Sequence, residues 1–152
     1  MILQFYLGWV KSGPASKAFK IPEAGSLFFE YVSRISKFSP CEASAYKEET
    51  LREKTGGRIW ICHREAGARG LLSSEALAKE INKLQTSSAK KLHIVIGGPD
   101  GFTAKDIERI RPDLLWSFGP LTLPHDLAAV VAAEQIYRAW TIQAGLPYHQ
   151  GH

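Results

Sequence analysis

Apolar and polar positions along the chain alternate between two periods. Short runs rich in β-branched and aromatic residues read as buried strands, and stretches with apolar residues three and four apart read as amphipathic helices. "MILQFYLGWV" predicts a first strand, followed by a polar loop from Lys11 to Glu23. Leu27, Phe28, Tyr31, Val32 and Ile35 predict a helix from Ala24 to Lys37. "CEASAY" predicts a second strand, "KEETLREK" a short helix stopped by Gly56 and Gly57, and "RIWICH" a third strand. "SSEALAKEINKL" opens on a serine cap and continues as a helix. "KLHIVIGG" is a fourth strand, "TAKDIERI" a helix ending before Pro112, and "DLLWSF" a fifth strand. A long final helix begins near His125. The alternation predicts an α/β fold, a mostly parallel sheet with helices on both faces.

Composition narrows the class. A chain of 152 residues, 45% hydrophobic and 22% charged, suits a single globular domain over residues 1–152. The apolar opening run has no preceding basic residue and no small-residue cleavage site, so it reads as a strand rather than a signal peptide. No segment reaches the length of a membrane span, and no membrane role is expected. Two cysteines, Cys41 and Cys62, make no disulfide framework and fit a reducing cytoplasm. A net charge of +4 permits a polyanionic partner without demanding one.

Ligands of open α/β sheets collect at the carboxyl ends of strands, which nominates the loops Arg64–Leu72, Gly97–Phe102 and Phe118–Pro124. In "LHIVIGGPDGF" the glycines Gly97, Gly98 and Gly101 offer left-handed dihedrals and close approach, while Pro99 stiffens the bend. Either a ligand cradle or a tight strand-to-helix turn accounts for it. Its glycine spacing is not a dinucleotide fingerprint, and it lacks the Gly-Lys-Ser/Thr ending of a P-loop. The segment "FGPLTLP" joins apolar side chains to free backbone groups, which suits a flat heterocycle such as adenine or a packed crossover. In the final helix, Leu127, Val130, Val131 and Glu134 share one face, and Ala129, Ala133, Ile136, Tyr137 and Trp140 another. A helix apolar on two sides is expected to bury one on its sheet and the other against a second subunit. Glu134 and Arg138 are spaced for an i,i+4 ion pair, which would also fix the arginine as a phosphate clamp.

"VIGGPDGF", "WSFGPLTLPHDLA", "AEQIYRAWTIQAGLPYH" and, more weakly, "LFFEYVSRISKF" resemble the RlmH-type family. These are SPOUT-class methyltransferases acting on N3 of a pseudouridine in 23S large-subunit ribosomal RNA. The resemblance implies a SPOUT-type fold with a C-terminal trefoil knot, a homodimer, and S-adenosylmethionine bound in the knot. Gly97 then matches a cofactor-contacting glycine, Cys62 falls where the family has a cofactor-contacting leucine, and Phe118, Gly119, Pro120, Leu121, Thr122 and Leu123 match the adenine-binding segment. Ribosomal RNA or the ribosome is the implied partner.

Departures from the family pattern are His63 in place of an acidic residue, Gly119 and Pro120 in place of small residues, and Trp9 where lysine is common, with Lys11 close by. The loop "REAGARGLL" is longer than usual, and the tail carries Gln150 in place of a cation. Imide N3 is a poor nucleophile until deprotonated, so the protein must align the groups and accept a proton. His149 is the candidate base, or alternatively a terminal phosphate contact; Tyr148 and Arg138 accompany it, Arg138 to meet an oxyanion or a phosphate. Asp100 is expected to cap the following helix. Lys17, Lys20, Arg34, Lys37, Arg109 and Arg111 are candidates for RNA contact or simply solvated charges. His149 and His152 lack the acidic or cysteine partners of a metal site, so no metal is expected. Two other readings stand beside this one: the same fold with another RNA target, and a non-catalytic RNA- or ribosome-binding relative.

Overall fold

The computed structural model describes residues 1–10, 13–52, 57–64, 67–98 and 100–150, with the backbone alone at Arg52. The readings made on Lys11, Gly56, Pro99 and His152 lie outside the described residues. Strands and helices alternate: β1 (Ile2–Leu7), α1 (Pro22–Ile35), β2 (Cys41–Ala45), α2 (Glu48–Arg52), β3 (Gly57–Cys62), α3 (Ser74–Thr86), β4 (Lys91–Ile96), α4 (Ala104–Ile110), β5 (Leu114–Trp116) and α5 (His125–Gln143). A closing 3-10 turn spans Pro147–His149.

The strands form one five-stranded sheet in the order β2-β1-β4-β3-β5, with every neighbouring pair parallel. Alternate side chains feed two layers, as the strand period requires. Leu3, Phe5, Leu7, Trp60, Ile94, Ile96 and Trp116 pack under α1, α3 and α5, while Tyr6, Ile61 and Val95 pack with Leu51 of α2 and Ile107 and Ile110 of α4. The expected α/β architecture with helices on both faces is what the chain adopts. Because all strands run one way, their carboxyl ends share an edge, and β4, β3 and β5 bring their following loops together there.

Local chemistry moves several boundaries. β1 ends at Leu7 rather than Val10, and at the next residue the chain runs so near β4 that a Cβ on Gly8 would lie 2.8 Å from the Ile96 carbonyl oxygen and 2.9 Å from the Gly98 nitrogen. α1 begins at Pro22 rather than Ala24, since proline is suited to a first helical turn whose N–H needs no partner. Asp100 is not the cap of α4: Thr103 accepts the Asp106 N–H, and Asp106 accepts the Thr103 N–H, a reciprocal capping box. Of the three glycines after β4, Gly101 takes a positive φ of 64°, whereas Gly97 and Gly98 serve close approach.

The expectation that the Tyr137–Trp140 face of α5 meets a second subunit needs correction. Trp140 stacks on Phe38 with ring centroids 6.0 Å apart and is 5% exposed, and Tyr137 packs on Tyr31 and Tyr148. Ala133 and Ile136 are fully buried. Helix α5 lies between α1 and α3 of its own chain, which bury the Trp140 face, while Leu127 on its first turn stays 41% exposed.

Candidate active site

The three nominated loops line one cleft of about 830 Å³ at the carboxyl edge of the sheet. This lies within the range of small-molecule and cofactor sites, about 300–1,000 Å³. From β3 it receives Cys62, His63 and Arg64; from the β4 loop, Gly97, Gly98, Asp100, Gly101 and Phe102; from the β5 loop, Phe118, Gly119, Leu121, Thr122 and Leu123. Cys62, Gly97 and five of the six expected adenine-loop residues thus converge. Pro120, in the same loop, is exposed and does not line the cleft.

Each wall is fixed by the backbone or by a hydroxyl. The Gly119 N–H donates to Ser117 Oγ at 3.1 Å, which holds the loop in a turn where Gly119 takes a φ of 100°. Ser117 Oγ also donates to the Arg64 carbonyl at 3.3 Å, and the Arg64 guanidinium donates to Thr122 Oγ1, so the β3 and β5 loops are laced together. On the other side, His63 Nε2 meets the Phe102 carbonyl at 3.3 Å, joining the β3 and β4 loops. A Cβ on Gly97 would come within 3.3 Å of Gly101 Cα and of the Phe102 ring, so a side chain at this point requires those neighbours to give way. Burial pushes the Cys62 thiol well above the ordinary thiol range, which makes it a packing group rather than a nucleophile.

The catalytic candidates of the tail form a separate cluster. Arg138 donates to Glu134 from Nε at 3.0 Å and from Nη2 at 2.6 Å, the expected i,i+4 pair, and the Tyr148 hydroxyl donates to the same carboxylate at 3.1 Å. Arg138 Nη1 donates to His149 Nδ1 at 3.0 Å, and His149 Nε2 lies 2.7 Å from Glu75 Oε1. Both imidazole nitrogens of His149 are therefore engaged. The Glu134 carboxylate raises the Arg138 guanidinium, the His149 hydrogen bond lowers the Glu75 carboxyl, and burial raises the Tyr148 phenol. Arg138 stands thirteen residues beyond His125, which lines the cleft, a separation of about 20 Å at 1.5 Å per residue. Within one chain, the tail cluster does not join the cleft.

Of the basic candidates, Lys20 lines the cleft, whereas Arg34 pairs with Glu30 and Arg109 with Glu48 and Asp106. Sequence reasoning missed His125, although its place just after the apolar loop, on the first turn of α5, was the signal that would have nominated it. Among the described residues, no group of three His, Cys, Asp or Glu side chains could hold a metal ion, and no helix is long and apolar enough to cross a membrane.

A glycine-lined cleft at the strand ends of a parallel sheet is where open α/β proteins hold their ligands. The profile of a family described as "Predicted SPOUT methyltransferase" matches residues 19–149, and the chain belongs to that family. It is 36% identical over 141 residues to a protein of Deinococcus radiodurans named Ribosomal RNA large subunit methyltransferase H, the match covering 87% of this chain and 92% of that one. A Magnetococcus marinus protein of the same name is 38% identical over 120 residues, covering 77% of this chain and 73% of its own length. An Acidithiobacillus ferrooxidans namesake is 50% identical over 80 residues, covering 53% and 48%.

Proposed function

We propose that this protein is an S-adenosylmethionine-dependent methyltransferase acting on N3 of a pseudouridine in large-subunit ribosomal RNA. The observation that carries the reading is the convergence of the Gly97 and Phe118–Leu123 loops on one cleft in a chain of this family. The names of the relatives support the ribosomal substrate, and a cytoplasmic location follows from such a substrate. The residues fit the cofactor: Leu121 and Leu123 offer apolar flanks to a purine, and the Gly97 backbone forms a cradle that any Cβ would fill. When bound, S-adenosylmethionine supplies an activated methyl group. Cys62 and Phe118 close the floor of the cleft, and Arg64 holds the adenine loop through Thr122.

Arg138, Tyr148 and His149 form a hydrogen-bonding cluster, paired with Glu134 and Glu75, whose guanidinium and imidazole suit contact with an RNA phosphate. The doubly bonded imidazole of His149 favours this role over that of base, because its Nδ1 lone pair is already taken by Arg138. Since the cluster and the cleft stand apart in one chain, the reading includes a homodimer in which one subunit's tail serves its partner's cleft. The C-terminal trefoil knot belongs to the same reading and is supported by family membership.

Calorimetry with S-adenosylmethionine and mapping of methyl marks on ribosomal RNA from a strain lacking the protein test this proposal. Cofactor binding and a single missing pseudouridine mark are expected. Binding with a missing mark on another RNA would select the second reading; no binding would select the non-catalytic one.

A further inference from the structure

The imide proton needs an acceptor in the cleft, and the described geometry occupies both nitrogens of His149. A different histidine is built for the task. His125 lines the cleft on the first turn of α5 with its side chain 12% exposed. Its ring packs against the Trp9 indole at a centroid distance of 4.4 Å, and that indole is itself fixed, its Nε1–H donating to the Ala18 carbonyl at 3.1 Å. Behind the ring lies Asp126, 2% exposed, whose Oδ2 accepts the Ile21 N–H at 2.8 Å. Asp126 Oδ1 lies 3.2 Å from His125 Nε2, and both atoms are buried without a hydrogen bond among the described residues. A modest turn of the ring within its broad χ2 well aligns that N–H on the carboxylate. Nδ1 is then the nitrogen left to take a proton in the cleft that His125 lines.

We infer that His125 is the general base of methyl transfer, with Asp126 and Trp9 as its positioning residues. The inference rests on the function proposed above. Carboxylate behind imidazole in front is the arrangement that fixes one tautomer and steadies the imidazolium once formed. The imide N–H proton passes to Nδ1. The electron pair left on N3 forms the new bond to the methyl carbon, and the sulfonium's S–C pair remains on sulfur. The charged and titratable groups that line the cleft beside His125 are Lys20 from the loop before α1, Cys62 at the end of β3, His63 and Arg64 after it, and Asp100 after β4; on α5, Asp126 lies next to His125. His63 is a poorer candidate, because its Nε2 is committed to the Phe102 carbonyl.

The test compares wild type with His125→Gln and Asp126→Asn, using calorimetry for the cofactor, turnover on ribosomal RNA, and nitrogen-15 NMR of the imidazoles without cofactor. His125→Gln should lower kcat about 100-fold or more at an S-adenosylmethionine affinity within about twofold of wild type. Added imidazole should restore part of the rate. In the wild type, NMR should find the His125 proton on Nε2, and Asp126→Asn should shift the tautomer balance. A His125→Gln enzyme that keeps its turnover, or that loses only cofactor affinity, would overturn the inference. So would a wild-type proton on Nδ1. If wild type itself neither binds the cofactor nor methylates RNA, the functional reading fails instead, and the NMR tautomer still reports on the Asp126–His125 pair.

Discussion

Burial tunes the thiols and buried phenols of this protein, as hydrogen bonds tune its arginines. Cys41, on the edge strand β2, is 7% exposed, and its thiol is pushed up to about 12 by desolvation. The folded chain therefore holds that proton at a pH where the unfolded chain, with an ordinary thiol near 8.5, has lost it. The sign follows: the contribution is intact below about pH 8.5 and is lost as pH rises towards about 12, at up to about 1.4 kcal/mol per pH unit. Urea midpoints should fall more steeply above about pH 9 for wild type than for Cys41→Ala; parallel curves would refute this. Gly97 is tuned by space rather than charge. Gly97→Val presses on Gly101 and Phe102, each already within 3.3 Å of a Cβ at that position. The variant should keep its circular dichroism and lose S-adenosylmethionine binding by calorimetry, and normal affinity in a folded variant would move the cofactor elsewhere.

Helix α5 decides how the elements hold together. Ala133 is fully buried in the chain's own core, so Ala133→Glu should unfold the monomer rather than split a dimer. A cost of about 3 kcal/mol or more is expected for an unpaired buried carboxylate, read as a collapse of the denaturation midpoint. A variant with an unchanged midpoint would place that face at the surface. The apolar periodicity of α5 and the Glu134–Arg138 pair were legible in the sequence, because both follow from spacing on one helix. Which neighbour covers the Trp140 face was not. Periodicity reports that a face is buried and is silent on whether α1, α3 or another subunit buries it. The cap of α4 went to Thr103 because its reciprocal bonds with Asp106 outcompete a single acceptor at Asp100. His125 was overlooked for a related reason. Trp9, which packs on its ring, and Ile21, which binds the neighbouring Asp126, are more than a hundred residues away in sequence, and only the fold brings them together.

At the scale of the molecule, the strand-edge cleft and the tail cluster are separate parts of each chain. If the working unit is a pair of chains, Gly97→Val and Arg138→Gln should each be nearly inactive alone yet recover turnover when the two are refolded together. One interface in the mixed dimer would then join an intact cleft to an intact tail. No recovery would mean that cleft and tail act within the same chain. RNA affinity should fall with added salt, and Arg138→Gln should reduce the slope of that dependence by about one. Gln150→Arg should raise affinity by adding a cation beside His149, and an unchanged affinity would remove the tail from the RNA surface.

The contact of Gly8 with Gly98 ties the ends of β1 and β4 so closely that not even a methyl group fits between them. Trp9, one residue beyond, leans on His125, while Gly97, one residue before, lines the cleft. The two glycines act as a pinned joint. An alteration as small as Gly8→Ala, remote from any reacting atom, would then throttle the enzyme by prising apart two loops that never exchange a proton.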